Sequence, residues 1–211
     1  MSLGGWSVPR LRRLVLERLM RYYRWLADSG IDMQTVTSAQ ISEALDVDPT
    51  QVRKDLGAIG LLGIGRVGFD VCEICRAVRV ALGFDQEYEA VVIGTGHLGG
   101  ALMAYGGFEP YGLRVVAAFD NDPRKVGTTV AGQTVRPMKG MTSFIKRRRI
   151  RLAILTTPAG ESQKLADRLV AAGVEAIWNF SPSHLAVRPG VVVRNEHISR
   201  GLSQIAYHLK Q

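Results

Sequence analysis

Three glycines at fixed spacing follow an apolar run in the segment AVVIGTGHLGGALMAY, residues 90–105. A loop that binds a dinucleotide needs glycine at such positions for three separate reasons. Gly94 would form the tight turn, Gly96 would let the backbone approach the pyrophosphate, and Gly99 would let the next helix pack closely on the strand. A strand, this loop and a helix, in that order, are typical of nucleotide binding.

A carboxylate completes the pattern. The strand LRVVAAFD ends in Asp120, 21 residues after Gly99, where it can accept both ribose hydroxyls of NAD(H) and repel the 2′-phosphate of NADP(H). The phosphates would lie at the helix N-terminus, near His97 and Leu98. These residues favour NADH/NAD+ over coenzyme A as the cofactor, and over a glycine turn with a purely structural role.

Further polar residues and prolines follow two later strands, IRLAILTT and AIWNF. Open α/β sheets bind ligands at the carboxyl ends of their strands, so Thr156, Pro158 and Asn179 are candidate cofactor-binding residues. The same residues could simply form turns. We expect more βα units here, with GESQKLADRLVAAG after the first strand, SPSHL after the second, and a late strand in GVVVRNE.

The elements ahead of the glycine loop predict a small helical domain. Apolar residues at spacings of three and four predict one helix from Pro9 to about Ser29, ending before Gly30. Thr37 and Gln40 then form a capping box. The helix that begins there, TSAQISEALDV, has an expected inner face of Ile41, Ala44 and Leu45.

The next helix, DPTQVRKDLGAIG, is predicted to be the second helix of a helix-turn-helix. Asp48 is its N-cap, Pro49 takes the first helical position and Gln51 completes a second capping box. Its core-facing residues are Val52, Leu56 and Ile59, which leaves outside Thr50, Gln51, Arg53, Lys54, Gly57 and Ala58. Polar residues at the N-terminal end and small ones beyond suit a helix lying in a DNA major groove. The alternative is an ordinary solvated helix.

The segment LLGIGRVGFDV predicts a glycine-rich hairpin, the wing of a winged helix, with Arg66 near its tip as a DNA contact. A connector helix, VCEICRAVRVALG, follows and ends at Gly83. Its Cys72 and Cys75 form a C-x-x-C pair, but the sequence holds no second pair that could complete a zinc site. We expect reduced thiols and no metal, with a disulfide or metal role as the alternative.

Composition sets outer limits. The 211 residues are 46% hydrophobic, no apolar run reaches 18 residues, and residues 1–13 lack signal-peptide character, so we expect a cytoplasmic protein with no membrane partner. Residues 1–80 hold 11 Lys/Arg and 9 Asp/Glu, so the net charge of +8 does not single out the helical domain. The basic run KRRRIR, residues 146–151, is best explained as the solvated end of a helix before a strand.

The last segment, HISRGLSQIAYHLKQ, predicts an amphipathic helix with the apolar stripe Ile198, Leu202, Ile205 and Leu209. With no element after it in this sequence, the stripe either docks on its own domain or binds a partner subunit. We therefore expect three parts. They are a winged-helix DNA-binding domain with its connector helix (1–82), an NAD(H)-binding domain (83–195) and a dimerisation helix (196–211).

Taken in order, these motifs resemble the Rex family of redox-sensing transcriptional repressors over about residues 8–209. The shared segments are QVRKDL, VVIGTGHLGGALMAY, AAFDNDPRKVG, LTTP, NFSP and the terminal helix. The resemblance implies an α/β fold, with an N-terminal winged helix, a Rossmann-type doubly wound parallel sheet and a swapped C-terminal helix.

The same resemblance implies a homodimer that binds palindromic double-stranded operator DNA and is released by NADH, not an enzyme. Arg53 and Lys54 match the family's recognition helix, Arg66 matches the wing, and Tyr105 matches a tyrosine near the nicotinamide. Two other functions remain alternatives, an NAD-dependent oxidoreductase and a module that binds coenzyme A or a nucleotide without DNA. The absence of a second substrate domain argues against the oxidoreductase.

Overall fold

A computed structural model describes residues 11–28 and 33–210. The chain forms two compact units, residues 1–86 and 87–211. The boundary lies a few residues after the one expected from the sequence, beyond the short segment that follows the connector helix.

The first unit is helical, with one small sheet. Its elements are α1 (Arg13–Asp28), β1 (Thr35–Val36), α2 (Ser38–Leu45), α3 (Pro49–Ala58), β2 (Phe69–Asp70) and α4 (Val71–Leu82). Residues from all four helices form its core, and among those fully buried are Leu19, Tyr22, Ile41, Val52, Leu56, Ile74 and Val78. The apolar periodicity of α1 therefore identified the correct face. The helix begins at Arg13, while Pro9 and Gly30 lie outside the described residues.

Two expectations for this unit are corrected. Ala44 is exposed rather than part of the inner face of α2, which Ile41 occupies. The wing is also not an independent two-stranded hairpin, since among the described residues its own pairing is a single bridge between Ile64 and Gly68. Its second strand, β2, pairs instead with β1, which precedes α2. The short glycine-rich loop cannot sustain a longer ladder, so pairing to a distant strand anchors it.

The second unit contains a seven-stranded sheet. Its strands are β3 (Tyr88–Ile93), β4 (Leu113–Asp120), β5 (Thr129–Val130), β6 (Gln133–Pro137), β7 (Leu152–Leu155), β8 (Ala176–Asn179) and β9 (Val192–Asn195). Its helices are α5 (His97–Ala104), α6 (Met141–Arg148), α7 (Ala159–Ala172) and α8 (Ile198–Leu209). Short 3-10 turns follow α5 at Gly106–Tyr111 and precede α6 at Met138–Gly140.

The strand order is β5-β6-β4-β3-β7-β8-β9, parallel except for β5 at the edge. Without β5 this is the 3-2-1-4-5-6 order of a doubly wound dinucleotide-binding sheet. The chain leaves β3 to one side and later crosses to β7 on the other, so the order reverses between these two strands. Ligands bind such sheets outside the carboxyl ends of the strands at this point.

Apolar side chains cover both faces of the sheet. On one face α6 and α7 pack over the strands, and among the buried residues there are Ile93, Phe119, Phe144, Leu155 and Leu169. On the other face α5 and the turn after it pack over Val92, Ala118 and Ile154. The basic run lies where it was predicted, because α6 ends at Arg148 with exposed cations in its last turn.

The segment after β8 differs from the expectation of a βα unit. Residues 181–185, SPSHL, form bends and irregular structure rather than a helix before β9. Two serines and a proline favour turns over helix, and the buried Asn179 side chain bonds to this segment. Among the described residues, none of the helices has the length and apolar character needed to cross a membrane.

Candidate cofactor site and DNA-binding helix

The glycine loop joins β3 to α5. Gly94 has a φ of +93°, which favours glycine, and its N–H donates to the carbonyl oxygen of Phe119 at 2.8 Å. A Cβ on Gly99 would overlap the carbonyl oxygen of Gly94, whereas a Cβ on Gly96 would meet no atom within 4 Å. Gly99 therefore serves helix–loop packing, and the space above Gly96 is open to a ligand.

The first turn of α5 has the character of an anion site. Gly96 is its N-cap and supplies no side-chain cap, so the first N–H groups of the helix have no side-chain acceptor there. Such groups carry the positive end of the helix dipole. His97 is exposed and Leu98 half-buried beside them, in the positions predicted to flank the phosphates.

Asp120, at the end of β4, lies next to this loop and is buried. Its Oδ2 accepts hydrogen bonds from the Thr95 N–H at 2.7 Å and the Thr95 hydroxyl at 2.8 Å, with Lys125 Nζ at 3.3 Å. Its Oδ1 accepts one bond, from the N–H of Asp122 at 2.9 Å, and so keeps the capacity to accept a ribose hydroxyl. The carboxylate thus ties the glycine loop to β4.

These contacts keep Asp120 ionised. Burial alone would raise the pKa of the carboxyl group, but the donors from Asp122, Thr95 and Lys125 outweigh it and lower the pKa below its usual value. Lys125 also offsets part of the negative charge. Repulsion of a 2′-phosphate is therefore weaker than an isolated carboxylate would give.

At the end of β7, Thr156 supports the same loop. Its hydroxyl lies 2.7 Å from the carbonyl oxygen of Gly94 and its N–H donates to Ile93 at 2.9 Å. Pro158 is exposed and is the N-cap of α7, again without a side-chain cap. The structure thus brings Thr156 and Pro158 to the sheet edge that carries the glycine loop, since β7 is the neighbour of β3.

Asn179, the third candidate at this edge, is fully buried with its amide committed inside the protein. Its Nδ2 donates to the Ser183 carbonyl and to Asn195 Oδ1, both at 2.8 Å. Its Oδ1 accepts from the Ser181 N–H and hydroxyl. These four bonds saturate the amide, so its contacts support a role in holding the loop rather than in touching a ligand.

Tyr105 caps the C-terminal end of α5 and is more than half exposed. Its ring lies edge-on to Phe108 at 4.9 Å between centroids and beside the backbone of Gly107, which has no room for a side chain there. Phe108 in turn contacts Trp178 at 5.5 Å, and Trp178 contacts Phe180 at 5.0 Å. This aromatic row runs from α5 to the end of β8.

In the first unit, α3 has the predicted outer face. Asp48 accepts from the Thr50 and Gln51 N–H groups at 2.8 and 3.1 Å, which caps the helix. Exposed along the helix are Thr50, Arg53, Lys54 and Gly57, with Gln51 and Ala58 half-buried. Arg53 also donates to the hydroxyl of Ser38 on α2 at 2.9 Å. Two cations thus lie on the exposed face of a capped helix.

The second capping box is corrected. Its reciprocal half would need the Gln51 side chain to turn back to the N–H of Asp48, but Gln51 Nε2 donates instead to Asp55 Oδ1 at 2.8 Å. The hydrogen bond that Nε2 donates to a charged carboxylate is stronger than the neutral bond that Oε1 would accept from the N–H of Asp48. The helix is therefore capped by Asp48 alone.

Asp55 itself was missed by the sequence analysis. It is 1% exposed and accepts from both Nε and Nη2 of Arg18, at 2.5 and 2.8 Å, and from the Tyr22 hydroxyl at 2.9 Å. The available signal was its spacing, three residues after Val52, which puts a carboxylate on the inner face of the helix. Thr95 was missed similarly, as a polar residue between the loop glycines.

Arg66 lies in the turn of the wing, exposed, with a φ of +66°. The predicted DNA contact would lie at this exposed turn, and it stays a prediction. On α4, Cys72 is exposed and Cys75 half-buried, and both are free thiols. Burial, with Cys72 nearby, raises the pKa of Cys75. Within the described parts of the chain, no three His, Cys, Asp or Glu side chains group as metal ligands would.

The apolar stripe of α8 is exposed in the single chain. Leu202, Ile205 and Leu209 are 63%, 58% and 79% exposed, and the side chain of Ile198 lies outside the described residues. A cavity of about 310 Å³ lies on one face of β7, β8 and β9, lined mainly by strand residues including Trp178 and Val192. Both surfaces present apolar area that one chain leaves uncovered.

Known proteins match nearly the whole chain. Residues 85–183 match a family model described as a CoA binding domain, and residues 12–57 match one described as "Putative DNA-binding protein N-terminus". A redox-sensing transcriptional repressor Rex of Brevibacillus brevis is 34% identical over 201 residues, which are 95% of this chain and 97% of the relative.

Two solved structures of RSP, a Rex-family repressor, are similar throughout. RSP in complex with β-NADH is 35% identical at a TM-score of 0.88, covering 95% of this chain and 94% of its own. RSP in complex with β-NAD+ and operator DNA is 36% identical at a TM-score of 0.89, covering 94% and 92%. These relatives are described as repressors rather than enzymes, which confirms the resemblance stated from the motifs.

Proposed function

This chain belongs to the Rex family of redox-sensing transcriptional repressors, and from that premise we propose that it binds operator DNA as a homodimer and is released when NADH binds. It thereby reports the NADH/NAD+ ratio of the cytoplasm. We assign DNA binding to residues 1–82, NAD(H) binding to residues 83–195 and dimerisation to residues 196–211.

The DNA contacts are assigned to α3 and the wing. Capped by Asp48, α3 presents a polar N-terminal end followed by small residues, which lets a helix lie deep in a major groove. The contacting residues are Thr50, Gln51, Arg53, Lys54, Gly57, Ala58 and Arg66. Palindromic operators follow from two-fold symmetry, because each subunit would read one half-site.

The NADH/NAD+ site is assigned to the carboxyl edge of the sheet. Its residues are Gly94, Gly96, His97, Leu98, Gly99, Tyr105, Asp120, Thr156, Pro158 and Asn179, of which Thr156 and Asn179 act by holding the loops. The open space at Gly96 and the uncapped start of α5 fit a pyrophosphate. Oδ1 of Asp120 is the acceptor for a ribose hydroxyl, and the exposed ring of Tyr105 is the partner of the nicotinamide.

Sensing requires that the two cofactor forms bind differently. NADH and NAD+ differ by one positive charge at the nicotinamide, so an apolar and aromatic surface there favours the reduced form. A ligand that binds two conformations equally shifts nothing, and a hundredfold change in DNA affinity needs about 2.8 kcal/mol of coupling. In the proposed mechanism NADH favours a dimer whose two recognition helices no longer match successive major grooves.

One observation carries the proposal: a capped helix with exposed cations and a glycine loop tied to a strand-end carboxylate occur in a chain that matches Rex relatives over almost its full length. Fluorescence anisotropy on an operator duplex at fixed salt tests it. NADH should release the protein at lower concentration than NAD+, NADPH or coenzyme A. An assay for dehydrogenase turnover should find none.

Tyr105→Phe and Tyr105→Ala refine the test. Both should alter the difference between NADH and NAD+ more than they alter the affinity for ADP-ribose, which lacks the nicotinamide. If the affinity for the operator duplex is the same with millimolar NADH as without cofactor, the proposed sensor function is wrong. Release by coenzyme A but not NADH would favour the ligand in the family-model description.

A further inference from the structure

Among the described residues of the first unit, Asp55 is the one buried polar or charged residue, and a network of side chains surrounds it. Four hydrogen bonds converge on a single carboxylate, two from Arg18 and one each from Tyr22 and Gln51. Arg18 and Tyr22 belong to α1, while Asp55 and Gln51 belong to α3. The network therefore connects the recognition helix to the longest helix of its own unit.

The chemistry of this network determines which way the Gln51 amide faces. Burial would raise the pKa of Asp55, but the three hydrogen-bonding partners, Arg18 foremost, lower it, so the carboxylate is ionised and can only accept. Gln51 must then present its NH₂ group to Asp55. Its carbonyl oxygen Oε1 accepts no bond from another described residue, and the side chain is half-buried rather than enclosed.

After the bond to Asp55, the Gln51 amide has one N–H donor and the Oε1 acceptor available for a base. In the major groove adenine offers the matching pair, the N6 amino donor and the N7 acceptor. Guanine offers two acceptors, so Oε1 finds no donor there, and cytosine or thymine would engage only half of the amide. An oriented glutamine near the start of α3 thus has a defined preference among the four bases.

We propose that Gln51 is a specificity-determining residue that reads an adenine in each operator half-site, and that Asp55 is the positioning residue that orients its amide. The inference rests on the proposed function, because it assigns a base to a helix that must first enter the groove. Arg18 and Tyr22 hold the carboxylate, and Arg53 and Lys54 on the same helix supply charge rather than this base preference.

The test uses the full-length protein and a duplex selected by it from a random library. Each base pair of one half-site is substituted in turn, and affinities are measured by anisotropy at one salt concentration. Gln51→Met, which keeps the length of the side chain and removes the amide, should lose discrimination at one A·T pair by about tenfold to a hundredfold. The other positions should keep their wild-type profile.

Two further measurements isolate the parts. Replacing the adenine at that position by 7-deazaadenine, which lacks the N7 acceptor, should weaken the wild-type protein and leave Gln51→Met unchanged. Asp55→Asn should reduce the same preference, and the double variant should lose no more than Gln51→Met alone. Tyr22→Phe is the matched control, because it removes one bond to Asp55 without touching Gln51 and should keep the base profile.

If Asp55→Asn does not fold, Gln51→Met and the deaza duplex still decide the matter, because neither removes a buried charge. This inference alone would be overturned if Gln51→Met kept the wild-type base profile. It would also be overturned if the variant lost its discrimination at a G·C pair instead of at an A·T pair. A wild-type protein with no preference among duplexes would overturn the proposed function as well. A base profile altered equally by Tyr22→Phe would reduce Asp55 to a structural residue.

Discussion

The carboxylate of Asp120 and the residue Thr95, 25 positions apart in the chain, are joined by two hydrogen bonds of 2.7 and 2.8 Å to the same oxygen. The strand-end carboxylate is therefore part of the glycine loop as well as a candidate ribose acceptor. Oδ2 accepts the bonds from the loop, whereas Oδ1 accepts one bond and can accept a second from a ribose hydroxyl, so the two roles use different atoms. Separate variants can test them.

Asp120→Ala should weaken NADH binding, because the ribose acceptor is lost. It should also reduce the difference in affinity between NADH and NADPH, because the repulsion of a 2′-phosphate is lost. Thr95→Val removes only the hydroxyl bond to a charged group and should cost about 1–2 kcal/mol of NADH binding without reducing that difference. Isothermal titration calorimetry measures both. Thr128→Val, which removes a hydroxyl that donates to the Lys125 carbonyl, is the control and should bind normally.

Gly96→Ala and Gly99→Ala should fail in different ways. Alanine at Gly99 places a Cβ against the Gly94 carbonyl, so the apo protein should lose about 1–3 kcal/mol of stability. Alanine at Gly96 meets no protein atom, so its melting temperature should stay near wild type while NADH affinity falls. Thermal unfolding without ligand and titration with NADH separate the two. Normal NADH binding by Gly96→Ala would show that the pyrophosphate lies elsewhere.

Arg53→Ala and Lys54→Ala should each weaken operator binding and leave NADH affinity intact. Loss of a phosphate contact weakens binding to every DNA sequence and lowers the slope of log affinity against log salt concentration by about one. Loss of a base contact costs about 1–3 kcal/mol of binding free energy on the specific site only. Anisotropy at several salt concentrations distinguishes them. Arg76→Ala on α4, a similar change of charge at an exposed position, should bind as wild type. Unchanged binding by both test variants would remove α3 cations from the interface.

Truncation after Glu196 should give a monomer or an aggregate, because it removes the exposed apolar residues Leu202, Ile205 and Leu209 that a partner subunit would cover. Light scattering measures the mass. Truncation after Leu209 leaves the stripe intact and should remain dimeric. A soluble dimer from the shorter chain would show that α8 is not the main dimer contact.

Acid should destabilise the first unit in part through Asp55. Its pKa is lowered in the folded state, so the unfolded chain, with an Asp pKa of about 3.9, binds a proton more readily. The contribution is fully present above that value and is lost progressively as the pH falls from there towards the lower pKa of the folded state. Urea midpoints between pH 6 and 3 should fall less steeply for Asp55→Asn than for wild type. An equal slope in both would mean that other carboxylates dominate.

Much of this architecture follows from neighbours in the sequence. The Thr37 capping box, the Asp48 cap, the apolar rhythm of α1 and the glycine loop before α5 each depend on residues within a few positions, and the structure contains them. Such features are local because hydrogen bonds at helix ends and helical periodicity reach only three or four residues. The strand ending in Asp120 was identifiable because VVAAF is a continuous apolar run, as in a buried parallel strand.

Long-range contacts decided the rest. Gln51 satisfied the local pattern of a capping box, yet its amide turned to Asp55, whose charge is fixed by Arg18, 37 residues away. Asn179 lies at the predicted strand end, but its amide donates a hydrogen bond to Asn195, 16 residues away. The pairing of β2 with β1 likewise depends on which strand folding brings near. A buried polar group must find partners wherever the tertiary structure supplies them, and no spacing rule along the chain records that choice.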